Sequence, residues 1–492
     1  MKRSSAVHSL IALVAMPAVC LAGEGVFMST MDDGSTIARN ASGAVLWQNY
    51  NINSGTATRA ARPPGNNTSA GPAWDDPPTV LDSSLTGSFI AGPIFDSFGN
   101  AWVVINDPVN LLAIQSVGTS GTWQAPHIIG SSLPTGAGTV GLSVDQAGGF
   151  YVTYGTYATA GDTSNPLMWT KYTPAAGWLT PALIYNSPTY FTETFPSIDS
   201  AGRLVVVFNA NGISSIASNP SQTSWGAVQT ISPATADPIL PSVAANKSGT
   251  RLALVYLLTG RGLSYTFFNS TTGQWNRSAL VPGSQLATFT AYGTENAFPI
   301  AVDESGNVTL ASSILAKARN ADDDSATARP TLKYTIGGFR YEGGQWTTQQ
   351  LLAPSASSPA TDQFGSIALN ASGVVLISVP TWDGSTGVNI SLFRYTPGQG
   401  WDTEIAAHYN STTGSRCSVA WFESTEAVVV YADHALPASL AAALYSNGSW
   451  GSAPAIPGNF PGVAAPKLAG APSGEALLGV PYTAVYATFL RP

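Results

Sequence analysis

The sequence predicts an all-β protein built from a repeated four-stranded unit, and three observations carry that prediction. The chain has 492 residues, too many for one ordinary core unless it is made of repeats or closes into a barrel. Charged residues make up only 10% against 44% hydrophobic, with 49 Gly and 34 Pro, a composition suited to many short strands joined by turns. The third observation is that two sequence markers alternate along the chain.

The first marker is a turn of the form Asp/Asn-x-x-Gly after a short apolar strand. It is plain in PSIDSAGRLVVVF (196–208), PSVAANKSGTRLALVY (241–256) and PIAVDESGNVTL (299–310). Copies stand at Asn40–Gly43, Asp96–Gly99, Asp145–Gly148, Asp199–Gly202, Asn246–Gly249, Asp303–Gly306 and Asn370–Gly373, with degenerate ones at Trp421–Ser424 and Ala471–Gly474. The acidic or amide side chain satisfies turn N–H groups and the Gly supplies a positive φ. The second marker is a Trp that opens a short strand: Trp74, Trp123, Trp178, Trp225, Trp275, Trp346, Trp401 and Trp450.

The two markers together repeat at about fifty residues, the period of a four-stranded propeller blade. With strands A to D running outward from the axis, the Asp/Asn-x-x-Gly turn joins A to B. The Trp begins strand D and packs its ring between neighbouring sheets. A–B and C–D turns then share one face of the ring, and B–C and D–A loops share the other. Eight blades are expected, with seven as the alternative. Residues 466–492 supply three strands without a Trp, to be closed by a strand from the N-terminus near Trp74 or before it. Helical content is expected to be close to nil, because no capped 3.6-period segment occurs.

Residues 1–22 read as a secretory signal peptide: Lys2-Arg3, then LIALVAMPAVCLA with Cys20-Leu21-Ala22 as a cleavage site. That apolar run is too short to span a membrane, so no membrane partner is expected. Residues 23–492 are then taken as a single propeller domain. Cleavage leaves Cys417 as the sole cysteine, which excludes an internal disulfide and a cysteine-built zinc site. Eleven Asn-x-Ser/Thr acceptors occur, at Asn40, Asn66, Asn67, Asn246, Asn269, Asn276, Asn307, Asn370, Asn389, Asn410 and Asn447. Chance gives about five, and the excess favours a glycosylated, secreted protein. The net charge of −8 and the lack of any Lys/Arg-rich stretch argue against nucleic acid.

Candidate chemistry concentrates before strand A. Several units carry an acidic or amide residue, then Phe or Leu, then Pro or Gly: Glu193-Thr194-Phe195-Pro196, Asp237-Pro238-Ile239-Leu240-Pro241, Glu295-Asn296-Ala297-Phe298-Pro299 and Asp362-Gln363-Phe364-Gly365. Arg416 and Lys467 take this place in the last two units. These positions are expected to ring the axial mouth as an apolar collar with convergent polar groups, which suits a small-molecule pocket. Glu295, Glu193 and His434 are the candidate catalytic acids, bases or donors; Phe195, Phe298, Phe364, Gln363, Arg416 and Lys467 are the candidate substrate contacts. The insertion AKARNADDDSATARP (316–330) maps to the same face. Its Asp322-Asp323-Asp324 lacks the spacing of a Ca²⁺ loop, and no motif for a metal or cofactor is visible.

The layout resembles that of secreted fungal propeller proteins of natural-product pathways, among them hetero-Diels–Alderases that join a tropolone quinone methide to a sesquiterpene. The resemblance covers the whole chain through its signal peptide, acceptor sites and blade period, but no diagnostic motif, so no family catalytic residue is carried over. It implies a cofactor-free cycloaddition of a polyketide- or terpene-like molecule, chemistry that needs an apolar pocket and a carbonyl-polarising donor. More distantly, the period and Trp-rich strands resemble fungal fucose-specific lectins, whose blades carry an Arg, a carboxylate or amide, and an aromatic. The alternative expectation is therefore a glycan-binding propeller. No Arg recurs at a fixed offset from the Trp series. A sialidase is not expected, because the turns lack the Ser-x-Asp-x-Gly-x-Thr-Trp pattern of that family and no inner-strand Arg triad can be read.

Overall fold

The computed structural model describes 26–30, 36–40, 45–51 and 56–59 as backbone, and 72–491 except 77, 83–89, 108, 119–121, 132–139, 157–163, 190, 237, 285–298, 319–330, 353–364, 383–386, 411–416, 423–424, 434–438, 459, 461–465, 472–473 and 482–484. The chain divides into two compact units, Met1–Gly71 and Pro72–Pro492. In the first, strands Val26–Thr30, Thr36–Asn40, Val45–Asn51 and Thr56–Arg59 form one sheet in chain order. The Asn40–Gly43 copy of the turn therefore lies between the second and third strands of this sheet, not between a first and a second.

The second unit contains eight antiparallel sheets, seven of them meanders in chain order. Their first strands are Ile90–Phe95, Val140–Val144, Glu193–Ile198, Pro238–Ala245, Ile300–Val302, Ile367–Leu369, Cys417–Trp421 and Lys467–Gly470. Each of these lies beside the next, and the eighth lies beside the first. The ring is closed. This is an eight-bladed β-propeller. The only helical element among the described residues is a single 3₁₀ turn, Ala234–Ala236.

Closure follows the expected exchange of terminal strands. Blade 8 takes three strands from the C-terminal end, Lys467–Gly470, Ala476–Pro481 and Val485–Arg491. Its outer strand comes from Ala73–Trp74 and Thr79–Asp82, at the start of the same unit. Arg491 clasps Asp75 through two bonds of 2.6 and 2.7 Å, and Thr488 Oγ1 donates to the Asp75 carbonyl.

The repeated turn has a local cause that recurs in six blades. One oxygen of the Asp or Asn side chain accepts turn N–H groups: Phe98 and Asn100 at Asp96, Ala147 and Gly149 at Asp145, Ala201 and Arg203 at Asp199, Arg251 at Asn246, Asn307 at Asp303, and Ser372 and Val374 at Asn370. The Gly takes φ near +80°, as at Gly202 (83°) and Gly306 (79°), which a residue with a Cβ adopts only with strain. In four blades the second carboxylate oxygen reaches onward into the blade, to Trp102 Nε1, Tyr151 OH, Arg203 and Arg340. A–B and C–D turns share one face: Gln222 donates to the Gly202 carbonyl, and Gly118 N–H to Asn100 Oδ1.

Each Trp opens strand D and fills one seam between blades. Trp178 of blade 2 meets Trp102 of blade 1 edge-on at 5.7 Å, and Trp225 meets Trp169 across the next seam at 5.6 Å. Trp74 and Trp123 occupy the two seams that flank blade 8. A further regularity follows the Trp. In blades 1, 2, 3, 6 and 8 a bulge skips one residue of strand D, namely Ile129, Ile184, Ile231, Ala406 and Leu81. The skipped side chain turns into a seam, while its predecessor at Ile128, Leu183, Ile405 or Val80 is exposed on the outer wall.

Candidate functional site

The axial mouth at the B–C end is described through Glu193, Phe195 and Lys467. Glu295, Phe298, Gln363, Phe364, Arg416 and His434 lie outside the described residues. Glu193 opens the inner strand of blade 3 and pairs with Asn209 at the end of strand B. Burial raises its carboxyl and outweighs a hydrogen bond with the Asn209 side chain that lowers it, leaving it pushed up to about 7. Thr194 points to blade 2, where its Oγ1 lies 3.2 Å from Thr153 Oγ1. Phe195 points the other way and packs half-buried in the seam between blades 3 and 4, with Val205, Val207 and Val243. Lys467 opens the inner strand of blade 8, across from Gly479.

A second polar constellation stands between blades 6 and 7, on residues that the spacing argument passes over. Arg394 on strand Gly387–Thr396 donates to Glu404 Oε1 at 2.7 Å and to Asp402 Oδ2 at 3.0 Å, both on strand Gly400–Asn410. Trp450 Nε1 of blade 7 donates to the other oxygen of Glu404 at 2.8 Å. The guanidinium also lies over the Tyr445 ring at 5.6 Å. Burial draws the guanidinium's pKa down, but Glu404, Tyr445 and Asp402 outweigh it and hold the group above its usual range. The side chains of Arg394 and Glu404 are 24% and 18% exposed, so the cluster opens to solvent. Arg394 Nε is buried without a hydrogen-bond partner.

The equivalent place in blade 5 is closed. Arg340 occupies it, 2% exposed, with Nη2 on Asp303 Oδ2 at 2.7 Å and its plane over the Tyr395 ring at 4.6 Å. Two blades thus do carry an Arg in register, although no fixed offset from Trp reveals it. The C–D turn between the paired strands is Gly343-Gly344 in blade 5 and Pro397-Gly398-Gln399 in blade 6. The tripeptide Phe-Arg-Tyr, at 339–341 and 393–395, is the signal that exposes the equivalence.

The Trp series packs into the seams: Trp74 and Trp275 are less than 9% exposed, and the other six are half-buried against the seam clusters. In seam 6–7 the part of Trp450 that matters is its N–H, aimed at Glu404.

No family model matches the chain, and no curated protein matches it. Solved structures similar to it include a polysaccharide lyase of the ulvan lyase family, at 11% identity and TM-score 0.43, covering 77% of this chain and 96% of that one. A prolyl endopeptidase is similar at 9% identity and TM-score 0.43, over 82% of this chain and 54% of that one. A mutant Aleuria aurantia lectin in complex with alpha-methyl-L-fucoside is similar at 16% identity and TM-score 0.33, over 68% of this chain and 98% of that one.

Proposed function

We propose that the protein is a secreted glycan-binding propeller that takes a saccharide at the seam between blades 6 and 7. The supporting observation is the Arg394–Glu404–Trp450 constellation. A pair of neighbouring sugar hydroxyls needs donors and acceptors set side by side. The Arg fork donates, the carboxylate accepts, and the indole N–H holds the carboxylate in place. The Tyr445 ring backs the guanidinium. Arg394→Ala and Glu404→Gln are expected to weaken binding of the best ligand on a glycan array by tenfold to a hundredfold, the loss associated with one charged hydrogen bond. Calorimetry on that ligand checks this, and unchanged affinity in both variants refutes the seam as the site.

Secretion is part of the same proposal and gives its own test. Asn276 and Asn447 are exposed, so both are expected to carry glycans. Asn246 is 3% exposed and both ends of its amide are engaged, with Thr250 Oγ1 and Arg251 N–H, so a glycan there requires the turn to open. Glycopeptide mass spectrometry of protein from a eukaryotic host reads all three; occupancy at Asn246 with none at Asn276 or Asn447 contradicts this placement.

The cofactor-free cycloaddition reading concerns the other location, the axial mouth. It calls for a neutral donor that can polarise a carbonyl, and Glu193 is the described residue that meets this condition.

A further inference from the structure

Glu193 is a half-buried acid that the seam leaves unused. It is the first residue of its inner strand, at the end of the ring away from the repeated turns, and its cross-strand neighbour is Asn209. Asn209 is its one described hydrogen-bond partner, and no Lys or Arg among the described residues pairs with it. Pleat alternation sets Glu193 on the same side as Phe195, facing the inner strand of blade 4. That strand leaves its ladder for two residues. Ile239 pairs with Leu257 and Ser242 with Val255, so Leu240 and Pro241 are skipped, and Leu240 is held at φ 57°. A left-handed leucine persists only where its surroundings over-determine it, and such positions gather at ligand sites.

We propose that Glu193 and Asn209 form a binding site, separate from the seam, for a neutral organic molecule bearing a carbonyl oxygen. The carbonyl accepts the Glu193 O–H, and the apolar body of the ligand lies along Phe195 and the Leu240 bulge. The Asn209 amide donates to the second carboxyl oxygen and so orients the acid. An ammonium ligand would use the same residues in the ionised state, and pH separates the two. Strands Glu193–Ile198, Leu204–Asn209, Val140–Val144 and Pro238–Ala245 bring no other titratable group to this face; strand Leu252–Leu258 brings Tyr256, buried in the seam with Phe195 and placed in the ladder gap opposite Leu240 and Pro241. Asp237, which precedes the last of them, lies outside the described residues and is controlled by Asp237→Asn.

The probes are 2-acetonaphthone and 2-naphthylmethylamine, followed by ligand-detected NMR at pH 5.5 and 8.5 on the intact protein. If only the protonated acid binds, with Glu193 titrating at about 7, ketone affinity falls roughly thirty-fold between these pH values. Glu193→Gln keeps a donor and binds the ketone equally at both pH values; Glu193→Ala loses it, with circular dichroism confirming that both variants fold. Asp237→Asn keeps the wild-type profile. The proposal is overturned by any of three results: no ketone binding at pH 5.5, a pH dependence that survives in Glu193→Gln, or amine binding that strengthens toward pH 8.5 in place of ketone binding.

Discussion

Deleting residues 72–82 abolishes the folded propeller, whereas a chain that begins at Pro72 retains every strand of all eight blades. The deleted segment is the outer strand of blade 8. Trp74 is 7% exposed, packs with Phe422, Val430, Leu478 and Leu490, and donates its indole N–H to the Pro454 carbonyl at 3.2 Å. Loss of such a side chain alone costs about 3–5 kcal/mol. The deletion also removes the two-bond Asp75–Arg491 clasp and strips strand Val485–Arg491 of its outer partner. It further empties the seam between blades 8 and 1 of Leu81. A domain holds about 5–15 kcal/mol in total, so these losses are of the order of the whole stability. Circular dichroism melts and limited proteolysis check the result. The milder Trp74→Ala is expected to fold and to melt several degrees lower. A deletion that still melts cooperatively near the wild-type temperature shows that the ring does not depend on this latch.

Asp303→Ala is the second large effect. Asp303 performs two tasks: Oδ1 accepts the Asn307 N–H inside the turn, and Oδ2 pairs with Arg340 Nη2. Arg340 is 2% exposed, so removing Asp303 leaves a buried guanidinium with the half-exposed Glu342, 3.8 Å from Nε, as its remaining counter-charge, a loss of up to about 3–5 kcal/mol. The double variant Asp303→Ala with Arg340→Met removes both charges and is expected to recover a large part of that loss. The pair also sets an acid limb. Burial pushes the Asp303 carboxyl up, but bonds from Arg340 and Asn307 outweigh it and hold its pKa below the usual value. A depressed pKa gives stability that is fully present above the unfolded value of about 3.9 and is lost as pH falls through the folded value. Melting temperature against pH is therefore expected to fall less steeply below about pH 4 in the double variant than in the wild type. Identical acid limbs in the two would remove Asp303 as the source.

The fold was legible because its determinants are local. Asp199, Gly202 and the N–H groups of Ala201 and Arg203 lie within one short hairpin, and their chemistry is complete before any blade packs on another. Trp178 is similarly tied to Tyr172 across its own C–D hairpin. The site was less legible. Arg394 and Glu404 share a hairpin, but Trp450 and Tyr445 come from the next blade, and a turn of different length in blade 5 hides the Arg340–Arg394 equivalence. Strand alternation, visible in the sequence, separates Glu193 and Phe195 from Thr194, yet which side faces blade 4 depends on how the sheets pack.

By itself the sequence determined the repeat, the turn chemistry, the Trp at each outer strand and the C-terminal sheet that needs a strand from elsewhere. Only the tertiary structure decided that ring closure begins at Pro72 and leaves 26–59 as a separate sheet. It also decided that the Trp rings are spent in the seams, and that one Arg of the Phe-Arg-Tyr pair is locked by Asp303 while the other opens to solvent. The physical reason is range. Turns and strand periodicity are settled by side chains within a few residues of one another, whereas a seam joins side chains about fifty residues apart, and its character depends on both blades at once.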